Sequence, residues 1–95
     1  SGLGQNYPNP FNPDTWIPFQ LKREAEVVIE IYQSNGQRVH RLNLGWQEAG
    51  YYTTTQSAAY WNGNNQNGER VSSGVYFYRL QAGDYSQTRK MVILK

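Results

Sequence analysis

Ile17, Phe19 and Leu21 alternate with Trp16, Pro18 and Gln20, and Val27, Ile29 and Ile31 alternate with Val28, Glu30 and Tyr32. Alternation with a period of two sends successive side chains to opposite faces of a strand, so both stretches predict strands. The second is the clearest in the chain. Pro18 lacks the N–H that a central strand must donate, which assigns the first to a sheet edge. Ser34-Asn35-Gly36 then predicts a tight hairpin with Asn35-Gly36 at its tip. The next strand carries Val39, Leu42, Leu44 and Trp46. Its phase slips by one residue between Val39 and Leu42, where a β-bulge is expected.

Beyond Gly50, the Thr- and Tyr-rich run from Tyr51 to Trp61 reads as extended chain. Asn62 to Gly68 is a long polar turn with two glycines free to take positive φ. Val71 marks a short strand. Val75 to Leu80 is apolar or aromatic at almost every position, the pattern of a central strand. Ala82-Gly83-Asp84 turns the chain, and Tyr85 to Leu94 returns as the last strand. Ahead of all this, residues 3–15 hold three of the four prolines and predict a rigid, non-helical lead-in. Tyr7 and Phe11 are expected to fold back from it onto the core, since two rings left in water would waste apolar area.

No helical periodicity occurs. About seven strands at spacings of roughly 8–12 residues predict an all-β fold, an immunoglobulin- or fibronectin-like antiparallel β-sandwich. The chain has no cysteine, so the Cys–Trp–Cys pattern of antibody domains is absent and only the architecture is inferred. Ninety-five residues suit a single domain over 3–95, with Ser1-Gly2 read as a cloning scar. Eight Tyr, three Trp and three Phe supply the core that a small sandwich without disulfides needs.

Charge and missing chemistry narrow the function. The formal charge is +2, and the cations are spread with no run longer than Lys22-Arg23 or Arg89-Lys90. A nucleic-acid partner would call for a basic stripe. No apolar run reaches the length of a transmembrane segment and no signal peptide is present, so an export signal would lie upstream. His40 is the only histidine and reads as a solvent-facing strand residue rather than a catalytic base. No nucleophile elbow, phosphate loop or zinc motif occurs, and the acidic residues are dispersed; Glu24, Glu26 and Glu30 share one strand region as a solvated face. The chain is therefore read as no enzyme, without cofactor or metal. The Asn62–Gly68 loop is oxygen-rich but holds no carboxylate, which suits a turn better than calcium. Trp16, Trp46 and Trp61, with Tyr51, Tyr52 and Tyr60, admit a different reading, a platform of rings that stacks on sugars in a carbohydrate-binding or adhesive domain. Alternation lets only one of Tyr51/Tyr52 and one of Tyr60/Trp61 face inward. A spacer that merely stabilises a neighbouring domain is the third reading.

Four stretches carry a family resemblance. Gln5–Thr15 resembles the "NYPNPFNPxT" opening of the C-terminal sorting domains of type IX secretion substrates, and Ile31–Val39 resembles their "IYDxxGRxV". Trp61-Asn62-Gly63 with Gly68, Val71 and Ser73–Tyr78 is similar to "WDGxxxxGxxVxSGxYFY". Ala82-Gly83 with Thr88–Lys95 is similar to the closing "AGxxxxTxKMxLxK". Immunoglobulin-like domains of flagellar hook-capping proteins share parts of this pattern. Asn62 departs from it, standing where the family usually has Asp.

The resemblance implies a module at the C-terminus of a larger exported protein. Such a module directs an upstream cargo domain through the periplasm and across the outer membrane to the cell surface. Its implied partners are the outer-membrane secretion translocon and a sortase-like protease. The implied recognition residues are Gly74, Tyr76, Lys90, Met91, Val92, Leu94 and Lys95. Strand addition at an exposed sheet edge is the expected mode, with Lys90 and Lys95 giving charge and either Val92/Leu94 or Met91/Ile93 packing inward.

Overall fold

The computed structural model describes residues 1–11 and 13–94. Nine strands are formed among them: β1 (Gly2–Leu3), β2 (Thr15–Ile17), β3 (Phe19–Leu21), β4 (Ala25–Gln33), β5 (Arg38–Gln47), β6 (Gly50–Tyr52), β7 (Ala59–Trp61), β8 (Gly74–Ala82) and β9 (Tyr85–Ile93). The long strands make a four-stranded antiparallel sheet in the order β5-β4-β8-β9. The short ones make a three-stranded sheet, β1-β3-β6, and a two-stranded ribbon, β2-β7. All of them feed one core. Ile17, Phe19, Leu21 and Trp61 from the short strands join Val27, Ile29, Ile31, Tyr78, Leu80 and Met91 from the long ones. The all-β, immunoglobulin-like sandwich is therefore the fold.

The edge position expected from Pro18 does not hold for the whole stretch, since β3 lies between β1 and β6. The chain instead changes partners at Pro18: β2 pairs with β7 before the proline, and β3 pairs with β1 and β6 after it. Alternation survives the switch, so Ile17, Phe19 and Leu21 all stay inward. The run Tyr51–Trp61 is likewise two short strands, not one. Between them Thr54 and Ser57 close a turn in which Ala58 N–H donates to Thr54 C=O at 2.7 Å. Val71 lies in no strand; it is a buried single residue whose N–H donates to Gly63 C=O.

The β4–β5 hairpin turns at Asn35-Gly36, with Gly36 at φ +91° and Asn35 Oδ1 accepting from Gln37 N–H. The predicted bulge is present at Val39: Ile31 faces His40 and Tyr32 faces Arg38, leaving Val39 over. A second bulge leaves Leu44 over between Asn43 and Gly45, and Gly45 takes φ +76°. The Val39 bulge also turns His40 inward, opposite Ile31, with its ring 6.4 Å from Trp61. The solvent-facing orientation expected for His40 is thereby corrected.

β8 is central, as its composition indicated, but only one of its faces is covered. Tyr76, Tyr78, Leu80 and Ala82 enter the core, while Val75 is 41% exposed on the other side. An antiparallel sheet is free to leave one face to solvent, which a parallel one is not.

Candidate recognition surface

The β8–β9 hairpin is built for unbroken register. A two-residue Gly83-Asp84 turn, with Gly83 at φ +59°, sets nine successive pairs from Ala82↔Tyr85 to Gly74↔Ile93. Alternation then divides the closing motif between two faces. Met91 and Ile93 are buried in the core, Val92 is half-buried, and Lys90 and Leu94 are exposed on the opposite side, Leu94 at 56%. Met91/Ile93 is thus the inward pair. Tyr76 sits opposite Met91, is buried, and donates its hydroxyl to Ser72 C=O at 2.8 Å. Gly74, at φ +147°, ends the register opposite Ile93. Gly74, Tyr76 and Met91 therefore hold the hairpin, whereas Lys90, Val92 and Leu94 are what it shows. Lys95 lies outside the described residues.

The outer edge of β9 is not free where strand addition was expected. Phe11 N–H donates to Val92 C=O at 3.0 Å, and Leu94 N–H donates to Phe11 C=O at 3.1 Å. Asn9 Oδ1 accepts from Val92 N–H at 3.0 Å, and Gln5 Nε2 donates to Lys90 C=O at 3.0 Å. Nearer the turn, Leu3 is held by side chains: its N–H donates to Gln87 Oε1 and its C=O accepts from Arg89 Nε. An uncovered row of strand amides invites unwanted pairing, and here the lead-in satisfies much of it. The far edge is treated similarly, since Gln66 N–H donates to Val39 C=O and Gln66 Oε1 accepts from Arg41 N–H.

The strap is itself anchored. Asn6 N–H donates to Tyr78 Oη, and Tyr78 donates to Gly4 C=O. Asn6 Nδ2 donates to Thr15 Oγ1 at 3.1 Å, and Thr15 in turn donates to Pro8 C=O at 3.1 Å. Asn6 and Thr15 are fully enclosed polar residues, and Phe11 packs edge-on to Trp61 at 5.6 Å. Burial pushes the Tyr78 phenol up, against the opposing pull of the Asn6 hydrogen bond and Arg89. Periodicity gave no hint of this lock; the only sequence signal was the fixed spacing of Asn6, Pro8 and Thr15 in the opening motif.

On the open face, Glu30 is ringed by cations. Its carboxylate meets Arg38 at 2.9 Å, Arg79 at 3.1 Å and Arg41 at 3.7 Å, and accepts from the Tyr32 hydroxyl at 3.0 Å. Burial works against ionisation, but hydrogen bonds from Arg38, Tyr32 and Arg79 outweigh it and hold the carboxyl below its usual range. The same burial, with Glu30 beside it, raises the Tyr32 phenol. Glu24 instead contacts Trp46 Nε1, and Glu26 is exposed, so the three carboxylates do not converge.

The tryptophans do not converge either. Trp61 is fully buried and donates its indole N–H to Asn64 C=O, so it cannot stack on a ligand. Trp46 is 62% exposed at the end of β5, whereas Trp16 lies in the β2–β7 ribbon of the other layer. Trp16 does stand between two tyrosines, stacked on Tyr7 at 6.4 Å and tilted against Tyr60 at 5.4 Å. Tyr60 donates to Asp14 Oδ2 at 2.7 Å, which raises its phenol. Tyr52 faces Phe19 in parallel stacking at 4.7 Å, leaving Tyr51 to point out. In the loop after Trp61, the side-chain oxygens of Asn62 and Asn65 accept from the backbone N–H groups of Asn64, Asn67 and Glu69. Those oxygens shape the turn. Among the described residues no cluster of three or more His, Asp or Glu side chains is placed to hold a metal ion.

Solved structures resemble the whole of this architecture. PorZ from Porphyromonas gingivalis, described as an essential bacterial surface component of the type-IX secretion system, superposes with a TM-score of 0.66 at 21% identity over 99% of the chain. Dimeric latent PorU from the same organism gives 0.73 at 19% identity over 97% of the chain. FlgD from P. aeruginosa gives 0.61 at 25% identity over 79% of it. The chain spans 12% of PorZ, 9% of PorU and 55% of the FlgD chain, so it corresponds to one part of each. No curated protein sequence matches it. The profile of one domain family matches residues 11–86, well over half of the chain, and on that match the chain belongs to the FlgD Ig-like domain family.

Proposed function

We propose that the chain is a secretion-sorting and surface-anchoring module of a larger exported bacterial protein. It directs an upstream cargo domain through the periplasm to the outer-membrane surface, where a translocon and a sortase-like protease read it. The observation that carries this reading is the division of the closing motif. Met91 and Ile93 lock the last strand into the core, and Lys90, Val92 and Leu94 are thereby presented on a rigid sheet. Recognition of an address needs such a display and no catalytic pocket, so the module is proposed to have no enzymatic activity. The likeness to PorZ, a surface component of a type-IX system, supports the same cellular setting.

The test must spare the core, because removing residues 90–95 would also remove two buried side chains. A Lys90→Ser, Leu94→Ser, Lys95→Ser variant fused to a cargo should fold and lose surface display, while His40→Ala keeps it. Equal display by the two variants would refute a terminal address.

A second reading rests on the ring row Tyr7–Trp16–Tyr60 beside Asp14, which would suit a sugar stacked on Trp16. Polysaccharide pull-down with Trp16→Ala and Trp46→Ala separates it. Binding lost only with Trp16 would favour it, and no binding by the wild type would remove it.

A further inference from the structure

Antiparallel sheets that leave a face to water normally clothe it in polar side chains. The face of β5-β4-β8-β9 turned away from the core departs from this singly at Trp46, opposite Glu26, and as a contiguous group at the other end. Cross-strand register gives its layout. Tyr32 of β4 stands beside Phe77 of β8, with Arg38 of β5 flanking the pair on one side and Lys90 of β9 on the other. One row towards the chain end, Val75 faces Val92, and Leu94 follows on the same side of β9. One row in the other direction lies Arg79 beside Glu30 and Arg41. Strands are about 4.8 Å apart and same-face rows about 7 Å apart, so these rows form one patch roughly 14 Å on a side.

We propose that this patch docks an acidic segment of a partner protein that carries apolar or aromatic side chains. Charge selects the sign of the occupant. Arg38, Arg41, Arg79 and Lys90 stand on the face against three carboxylates, of which Glu24 and Glu26 lie at the Trp46 end and Glu30 is already shared by three guanidiniums. Each of those arginines keeps roughly two-fifths to half of its side chain exposed, at 48%, 43% and 41% for Arg38, Arg41 and Arg79. Apolar chemistry selects the rest. Val75 and Leu94 are large and exposed, and they continue the half-buried Phe77 and Val92 into one strip. Cations rim that strip, the arrangement in which charge steers an approaching partner and apolar anchors retain it. The proposal deepens the sorting reading by naming the face that recognition would use, and it accounts for a closing motif that shows Lys90, Val92 and Leu94 while its edge stays covered.

The chain can be tested directly with a random copolymer of glutamate and tyrosine as the acidic, ring-bearing probe. Amide shifts of the isotope-labelled protein should concentrate at Tyr32, Arg38, Phe77, Lys90 and Val92. Lys90→Glu, and separately Val75→Thr with Leu94→Thr, should each weaken binding about tenfold at an unchanged melting temperature, since rim charge and apolar anchor contribute separately. Polyglutamate alone should bind more weakly than the copolymer. Shifts centred elsewhere, such as Lys22-Arg23, or binding by both variants as tight as that of the wild type, would overturn the proposal. So would sedimentation with phosphatidylglycerol vesicles that depends on these same residues while the copolymer does not bind. Export of a fused cargo is scored in parallel with the same variants. Loss of export by the wild type would sink the sorting reading while copolymer binding still decides the face. Normal export by both variants would overturn the docking face and leave sorting intact.

Discussion

The hydroxyl of Tyr78, on the central strand, accepts a 2.9 Å hydrogen bond from the backbone N–H of Asn6 and passes its own proton to Gly4 C=O at 2.8 Å. One side chain thus fastens the lead-in to the sheet whose edge that lead-in covers. Tyr78→Phe keeps the ring and strands a buried N–H and a carbonyl, which should cost about 1–3 kcal/mol. Urea denaturation measures it, and proteolysis should find the first ten residues of the variant more accessible. The raised Tyr78 phenol also sets a sign. Its contribution is full below the unfolded tyrosine value of about 10 and is lost as pH rises through the higher folded value. Wild-type stability should therefore fall more steeply in alkali than that of Tyr78→Phe.

Glu30 makes the opposite prediction at low pH. Its folded carboxyl is held below the unfolded value of roughly 4.3, so its stabilisation is present above that pH and lost as pH falls through the folded value. Because the arginines around it are substantially exposed, Glu30→Gln should cost only about 1 kcal/mol at neutral pH. The gap between variant and wild type should close on acidification. A gap that stays constant from neutral pH to about pH 3 would contradict the ion-pair account.

The two faces of β9 predict opposite phenotypes. Met91→Ala opens a cavity in the core and should destabilise by about 2–5 kcal/mol, whereas Leu94→Ala, on the surface, should stay within about 0.5 kcal/mol. Chemical denaturation of both, set beside their export, separates folding from recognition.

Gly63 is held by a close approach. A Cβ there would lie 2.3 Å from Pro13 C=O, and its φ is +82°. Gly63→Ala should cost about 2 kcal/mol or more, against roughly 1 kcal/mol for Gly36→Ala, where φ is also positive but the space is open. Thermal melting of the pair checks the order.

Much of the sandwich was legible because burial writes a local period. Val27, Ile29 and Ile31 alternate without interruption, and the slip after Val39 announced a bulge that β5 does contain. What escaped was non-local. Pro18 suggested an edge, but it marks a change of partners that depends on β6 and β7, more than thirty residues away, and β3 is the middle strand of its sheet. Val71 has a strand's hydrophobicity without a strand's partners, and His40 is turned inward by a bulge beside it. The candidate surface was half legible. The family resemblance picked out the closing motif, yet only register could show which of its residues face outward. The strap over β9 rests on bonds from Asn9, Gln5 and the Phe11 backbone, which follow no period at all. Trp61 entered the ring platform on residue type alone, and its burial removes it.

The central claim is tested most directly by surface display. A folded reporter with a signal peptide is fused ahead of this chain in a host that has type IX secretion, and the cargo's accessibility to added protease on intact cells is measured. The account predicts accessible cargo for the fusion and protected, periplasmic cargo for the reporter alone. A fusion that folds and yet stays protected would contradict it.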